Sequence, residues 1–516
     1  MKLITRFMYT LHRILGTLLS VLFLVWFLSA FVMMYHGFPR VSVQERLEKQ
    51  EALTTKTSAS GLLPFDTVLS RLPVQASSVR GIELKRIDGQ TVFNIRTSKD
   101  TYVMRADTVV MLPSEASQST AEDILQTASL WCNAPISSID TLSKLDQWIP
   151  FGQLKKELPV YKFHFADDEQ HQLYISSQSG EVLQFTSHDE RFWAWLGAIP
   201  HWVYFTWLRQ DLQLWKTTVI WLSGIGCLMV IAGLWIGIDV WRKTRRRRAG
   251  GFSPYKKKWY HWHYVTGIVF GIFVLTFTFS GMMSLADLPT WITHPTMSVN
   301  PMKAFRQSAP SAYEIPLDYR QVLAQYPEAK VLEWSNFRSH PYYTVKETEA
   351  EYYIDATDSL PRPLHLSKEE VEEAVRAVYQ TEDTAAHTLD RPHAVALRTE
   401  LLDHYETDYR DMSRMYKGRS LLPVWKVTAA DADHSVYYIH PETGAVRYVN
   451  TTARWKYWTY TALHRLRIPG LNSNVTLRKT VLWVLLLGGT AVSVTGIVLG
   501  VNYLCRLGRR RNKKHS

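Results

Sequence analysis

The chain reads as a membrane α-helical bundle of four spans carrying two extracytoplasmic α+β domains, arranged as an internal two-fold repeat of span, domain and span. Three observations carry that reading. Four apolar runs, about 14–35, 217–240, 265–285 and 480–504, each reach the roughly 20 residues that cross a bilayer. Basic residues crowd into three short segments beside those runs. The two halves of the 516-residue chain also align with each other.

The charge pattern sets the orientation. Lys2, Arg6 and Arg13 precede the first run, nine Lys and Arg lie in "WRKTRRRRAGGFSPYKKKW" between runs two and three, and six lie in the tail "CRLGRRRNKKHS". These are eighteen of the 59 basic residues, so the other 41 are outnumbered by 47 acidic ones. The positive-inside rule places all three segments in the cytoplasm. A basic block can mark a nucleic-acid surface, but flanking spans it is a topology signal, and no nucleic-acid partner is expected. The first run is longer than the roughly 7–15 residues of a signal-peptide core and has no small-x-small site close behind it, so an uncleaved anchor is expected. The predicted order is a cytoplasmic N-terminus with the first span (1–36), an outer domain (37–195), an interfacial segment with the second span (196–240), a basic cytoplasmic loop (241–260), the third span (261–285), a second outer domain (286–457), an interfacial segment with the fourth span (458–504) and a basic tail (505–516). The three cysteines, Cys132, Cys227 and Cys505, form no Cys-x-x-Cys motif, and no intramolecular disulfide is expected.

The repeat fixes a register. His12 falls on His263, Gly16 on Gly267 and Ser29 on Ser280. In the outer segments "LPVYKF" (158–163) falls on "LPVWKV" (422–427), and "LYISSQSGEV" (173–182) on "YYIHPETGAV" (437–446). Arg191, Trp195 and His201 fall on Arg454, Trp458 and His464, and Gly233 and Gly237 on Gly496 and Gly500. Alternating apolar and polar residues predict half-buried strands there, with hairpin turns at "SQSGE" and "HPETG". "SKEEVEEAVRAVYQ" (367–380) reads as a helix opened by a capping box. Both halves start in the cytoplasm, so the repeats are parallel about an axis along the membrane normal.

Four histidines survive as matched pairs. His12 and His263 open spans one and three, whereas His201 and His464 precede spans two and four in the aromatic stretches "WAWLGAIPHWVYFTWL" and "WKYWTYTALHRLRIPG", which suit interfacial helices. Ionisable groups at membrane depth are costly and functional by default. Imidazole ligates zinc, copper and haem iron. Zinc needs further Cys, His or carboxylate ligands that these helices lack, whereas haem needs one or two axial ligands and an apolar slot. A glycine four residues after the histidine lies on the same helix face, so Gly16 and Gly267 could let a porphyrin lie against the backbone. Paired across the repeat axis, His12 with His263 and His201 with His464 would hold two b-type haems in series. His36 and His261 are secondary candidates. His387, His393 and His404 read as surface residues.

The second half, "LPVWKV…YYIHPETGAVRYV…RWKYWTYTALHRLRIPG…LGGTAVSVTGIVLG", together with "LHRILG" and "HWHYVTG", resembles the PepSY-associated transmembrane family over nearly the whole chain. The resemblance implies PepSY-like outer domains, a bacterial inner-membrane location with those domains in the periplasm, and a di-haem oxidoreductase that reduces ferric siderophore or another ferric chelate and releases Fe(II). Its motifs carry over to His12, Gly16, His263, Gly267 and His464, and less typically to His201. No Gly-x-Gly-x-x-Gly, P-loop or flavin signature occurs, so the expected electron donor is a quinol or a cytoplasmic reductase docking near the basic loop 242–258. The alternative from another class is a haem-free membrane sensor or scaffold whose PepSY domains bind a peptide or protein. An iron-complex permease would need polar groups or broken helices at mid-membrane, where the spans offer only Ser29, Ser280, Thr495 and glycines.

Overall fold

A computed structural model describes residues 2–515 apart from 54–60, 76–77, 88, 98–99, 109, 113–119, 247–252, 290–300, 303–304, 306–314, 386–394 and 411–420. Among the described residues, four helices are long and apolar enough to cross a membrane: Lys2–Met33, Leu212–Arg246, Lys258–Met283 and Val475–His515. The first, second and fourth run past their apolar runs into the basic flanks. Lys and Arg are good helix formers, and at a C-terminus they also complement the helix dipole. The first span packs against the second and fourth, and so does the third. The four thus form a ring in which spans one and three, the repeat equivalents, face each other diagonally.

The extramembrane strands are β1 (Val79–Ile87), β2 (Gln90–Thr97), β3 (Thr101–Arg105), β4 (Met111–Leu112), β5 (Ile136–Leu142), β6 (Val160–Phe165), β7 (Gln172–Ser176), β8 (Val182–Thr186), β9 (Val331–Phe337), β10 (His340–Lys346), β11 (Glu351–Asp355), β12 (Arg362–Pro363), β13 (Leu397–Leu402), β14 (Val424–Ala429), β15 (Val436–Ile439) and β16 (Val446–Val449). β5–β8 and β13–β16 are antiparallel four-stranded meanders, one from each half. Their hairpins turn where the sequence predicts. Gly180 (φ 67°) and Gly444 (φ 64°) take up the left-handed conformation that glycine adopts freely. Ser367 and Glu370 form the expected capping box at the start of helix Lys368–Ala385.

The remaining strands join the halves. β1–β4 and β9–β12 form one eight-stranded sheet, ordered β12-β11-β10-β9-β1-β2-β3-β4. The seam is antiparallel, with Leu84 opposite Leu332 and Ile82 opposite Trp334. Leu84, Phe93, Ile95, Leu332 and Tyr343 are all buried in the core beneath it. The segments that follow the first and third spans are therefore stitched through a shared sheet. An antiparallel β1–β9 pair is what a two-fold axis makes of two equivalent edge strands, and it closes both edges at once.

The repeat extends to single hydrogen bonds. Lys162 and Tyr174 both reach Asp146, at 3.0 and 2.7 Å. In the other half Lys426, at 2.9 Å, and Tyr438 reach Glu406. Arg191 donates to the Gln170 carbonyl and Arg454 to the His434 carbonyl, and both acceptor residues have positive φ. Cis peptides precede Pro159 and Pro423.

Three substitutions test this packing. Leu84→Ala empties a fully buried position at the seam and costs about 2–5 kcal/mol, read as an earlier extramembrane unfolding transition. Ile139→Ala, at a position 45% exposed, stays within about 0.5 kcal/mol of the parent. Burial raises the Asp146 carboxyl, but the Tyr174 hydrogen bond and the Lys162 ammonium more than reverse this, so it ends below its ordinary value. A carboxyl depressed in the folded state adds stability above its unfolded pKa and loses it as pH falls through the folded one. Acid titration of Asp146→Asn therefore shows a shallower stability loss below about pH 4 than the parent.

Candidate functional site

Each of the four matched histidines is held by its own half of the chain. His12, on the first span, directs Nδ1 to the Met229 carbonyl of the second, at 2.9 Å. His263, on the third span, directs Nδ1 to the Thr495 hydroxyl of the fourth, at 3.0 Å, and that hydroxyl donates onward to the Ala491 and Val492 carbonyls. His201 directs Nδ1 to the Trp26 carbonyl at 3.1 Å and the Ser29 hydroxyl at 3.2 Å. His464 directs Nδ1 to the Phe277 carbonyl at 3.2 Å and the Ser280 hydroxyl at 3.0 Å. Ser29 and Ser280 spend their own protons on those same carbonyls. The acceptors therefore keep the proton on Nδ1 in all four rings and leave Nε2 with its lone pair, the tautomer that a metal ligand needs.

The rings then meet in pairs across the repeat axis. The centroids of His12 and His263 are 6.0 Å apart and those of His201 and His464 are 6.1 Å apart. A metal bonded to an imidazole nitrogen on each side, at roughly 2.0 Å per bond, holds two such centroids roughly 6–6.5 Å apart.

His201 and His464 reach this position by an unexpected route. They lie on short helices, Ala198–Trp202 and Leu463–Arg465, that fold back against the domain-side ends of spans one and three. Each helix is stopped by a residue in the left-handed region, Val203 (φ 55°) and Leu466 (φ 47°). A β-branched residue there is strained, and the left-handed conformation recurs at equivalent positions, two residues after each histidine. A π-helical turn, Tyr457–Ala462, immediately precedes His464. From His12 to Ser29, which carries His201, is seventeen residues along one helix, about 25 Å at 1.5 Å per residue. His263 to Ser280 is the same interval. The two pairs therefore lie near opposite faces of a hydrocarbon core about 30 Å thick.

A cavity of about 420 Å³ surrounds the His12–His263 pair. Gly16 and Gly267 line it, and a Cβ on either would meet no atom within 4 Å. Arg13, Tyr9, Tyr255, Tyr260, Tyr503 and Arg506 line its basic-side end. Other glycines make room for the rings themselves. A Cβ on Gly233 would stand 2.6 Å from His12 Cε1, and one on Gly281 would stand 3.4 Å from His464 Cε1. Between the two pairs the bundle is filled by Phe23, Phe27, Val274, Phe277, Leu485 and Leu486. Phe23 lines the cavity and lies 5.8 Å from Trp26, whose carbonyl receives His201.

The secondary candidates go elsewhere. His36 stacks on Trp193 at 4.5 Å, and His261 meets Trp262 edge-on. Among the described residues neither has a ring contact with another histidine. His404 is exposed and pairs with Asp403, while His387 and His393 lie outside the described residues. Sequence reasoning gave no role to Gly233 or Gly281 and left Ser29, Ser280 and Thr495 as bare polar residues. Recurrence in the repeat register was the available signal for Ser29, Ser280 and Gly233, whereas Gly281 falls on Ala30 and Thr495 on Ala232.

A ring of four spanning helices with α+β domains on one side defines a multi-pass membrane protein built on a two-fold repeat. Residues 100–499 match the PepSY-associated TM region, and the chain belongs to that family. Comparison with curated proteins finds no match.

The glycine environments predict opposite outcomes for similar changes. Gly16→Ala adds a methyl to the open cavity and does not lower the melting temperature of the detergent-solubilised protein stripped of any ligand. Gly489→Ala would put a Cβ 2.4 Å from Phe27 and lowers stability by about 1–3 kcal/mol.

Proposed function

We propose that the protein is a transmembrane di-haem electron-transfer protein. It takes electrons on the cytoplasmic side of a bacterial inner membrane and reduces a ferric siderophore, or another ferric chelate, at the periplasmic face. The observation that carries this reading is the recurrence of one arrangement at both ends of the bundle: two imidazoles, Nδ1 anchored, Nε2 free, with centroids a metal's width apart. The donor set also fits a haem, because the glycine-walled cavity offers a flat apolar surface where a side chain would otherwise stand. When bound, a b-type haem would supply a one-electron Fe(III)/Fe(II) couple suited to electron transfer.

The chain's own residues do the rest. His12 and His263 would hold the cytoplasmic-side group, and His201 and His464 the periplasmic-side one. The Met229, Trp26 and Phe277 carbonyls and the Thr495, Ser29 and Ser280 hydroxyls fix the four rings in orientation. Arg13 and Arg506 place positive charge at the cavity end, where propionate carboxylates are best met. Phe23, Trp26 and Phe277 keep water out of the interval between the pairs. The donor is a quinol or a cytoplasmic reductase docking near the basic loop 242–258. Each ferric ion accepts one electron, so a quinol releases two electrons and two protons and serves two ferric ions. Fe(II) is then weakly held by the chelate and leaves.

The test is a dithionite-reduced minus air-oxidised absorbance spectrum of the purified protein, with haem quantitation. Nearly two haems per chain are expected. His12→Ala or His263→Ala removes one and His201→Ala or His464→Ala removes the other, and either loss abolishes ferric-chelate reduction by proteoliposomes. A colourless protein, even after expression with added haem precursor, overturns the reading and leaves the haem-free sensor or scaffold.

A further inference from the structure

One extramembrane cluster plays no part in that reading. Among the described residues, one group of His, Cys and carboxylate donors is compact enough to hold an ion: Cys132, Asp167 and His171, whose donor atoms lie within 4.8 Å of one another. They come from three places. Cys132 ends helix Ala121–Trp131, Asp167 sits in the β6–β7 turn, and His171 immediately precedes β7. All three are half-buried. The His171 ring is fixed in plane by stacking on Phe185, at 4.6 Å and 5°. The opposite ring nitrogen, Nε2, lies 3.2 Å from Glu169 Oε2, an outer carboxylate that orients the imidazole while Nδ1 faces Asp167.

The plain alternative is that Asp167 and His171 merely clamp their turn. The internal repeat supplies the control. Asp167 Oδ1 accepts the His171 backbone N–H at 2.9 Å. In the second half Asp431 Oδ1 accepts the Ser435 N–H in the same way, at 2.8 Å. The turn therefore needs the aspartate and works with serine four residues on. The other carboxylate oxygen shows the difference. In the second half Asp431 Oδ2 is occupied by the Tyr379 hydroxyl at 2.9 Å, and Ser435 turns to the Tyr448 hydroxyl at 3.0 Å. In the first half Asp167 Oδ2 faces the His171 ring instead, Phe185 replaces Tyr448 beneath it, and the Cys132 thiol closes the third side. The first half has thus added a thiol and an imidazole to a carboxylate that the fold already required.

We propose that Cys132, Asp167 and His171 form a binding site for a zinc-type divalent ion, with water in the fourth position. Thiolate, imidazole and carboxylate together suit a borderline-soft ion with tetrahedral preference. Calcium and magnesium, which take oxygen ligands, are poorly served by it. Metal–ligand bonds of roughly 2.0–2.3 Å give a tetrahedron with edges of roughly 3.3–3.8 Å, so binding asks for about an ångström of side-chain closure. The site is independent of the paired histidines in the membrane.

The test titrates the full-length purified protein with Cd²⁺ and follows the ultraviolet thiolate-to-cadmium charge-transfer band, with Zn²⁺ as competitor. One equivalent per chain is expected, displaced by Zn²⁺. The band disappears in Cys132→Ser, persists in Cys505→Ser, and binding weakens at least tenfold in His171→Ser, which copies the second half and so preserves the turn. Zn²⁺ also protects Cys132 from alkylation. Retention of the band in Cys132→Ser, loss in Cys505→Ser, unaltered binding in His171→Ser or unprotected Cys132 overturns the proposal, as does the absence of stoichiometric binding.

Discussion

Everything at the centre of this molecule depends on where four imidazole protons sit. A histidine at membrane depth is useful as a ligand only if it is neutral and its free nitrogen points at the metal. Here each Nδ1–H is donated to a carbonyl or hydroxyl oxygen on a neighbouring helix, three of them backbone carbonyls at Trp26, Met229 and Phe277. Those bonds satisfy a polar group that would otherwise be orphaned in an apolar surround. They also aim the opposite edge of each ring at the repeat axis. One contact therefore settles protonation, orientation and burial together.

The two-fold repeat turns that contact into a site. A single span–domain–span unit carries one histidine near each face and can present only half of a bis-imidazole pair. Two units about one axis complete both pairs without any further residue. The axis is held from outside the bundle as well, because β1 and β9 pair across it and the eight-stranded sheet makes the halves one body. Close approaches hold it from inside. Gly488 and Gly489 admit Phe270 and Phe27 nearly to the backbone, so the third and first spans pack tightly on the fourth.

Much of this was legible in the sequence because the chain repeats itself. The apolar runs, the hairpin glycines and the matched histidines could be placed by register alone. Gly16 and Gly267 followed from helix geometry. Other features leave no local signal. The β1–β9 seam joins residues about 250 positions apart, and nothing in either strand names its partner. The turn after His201 is made by Val203 in a conformation its side chain disfavours, where a glycine would have been the readable mark. The acceptors of the Nδ1 protons are largely backbone carbonyls, which every residue possesses. The Cys132 cluster was missed because its three residues are unremarkable singly and meet only once the β6–β7 turn is folded.

Low-temperature electron paramagnetic resonance of the oxidised protein tests the central claim most directly, since it reads the ligands of each iron. The account expects two low-spin ferric species per chain, each ligated by imidazole on both sides, with one of them lost in His12→Ala and the other in His464→Ala. A dominant high-spin ferric signal, or no haem signal at all, would contradict it.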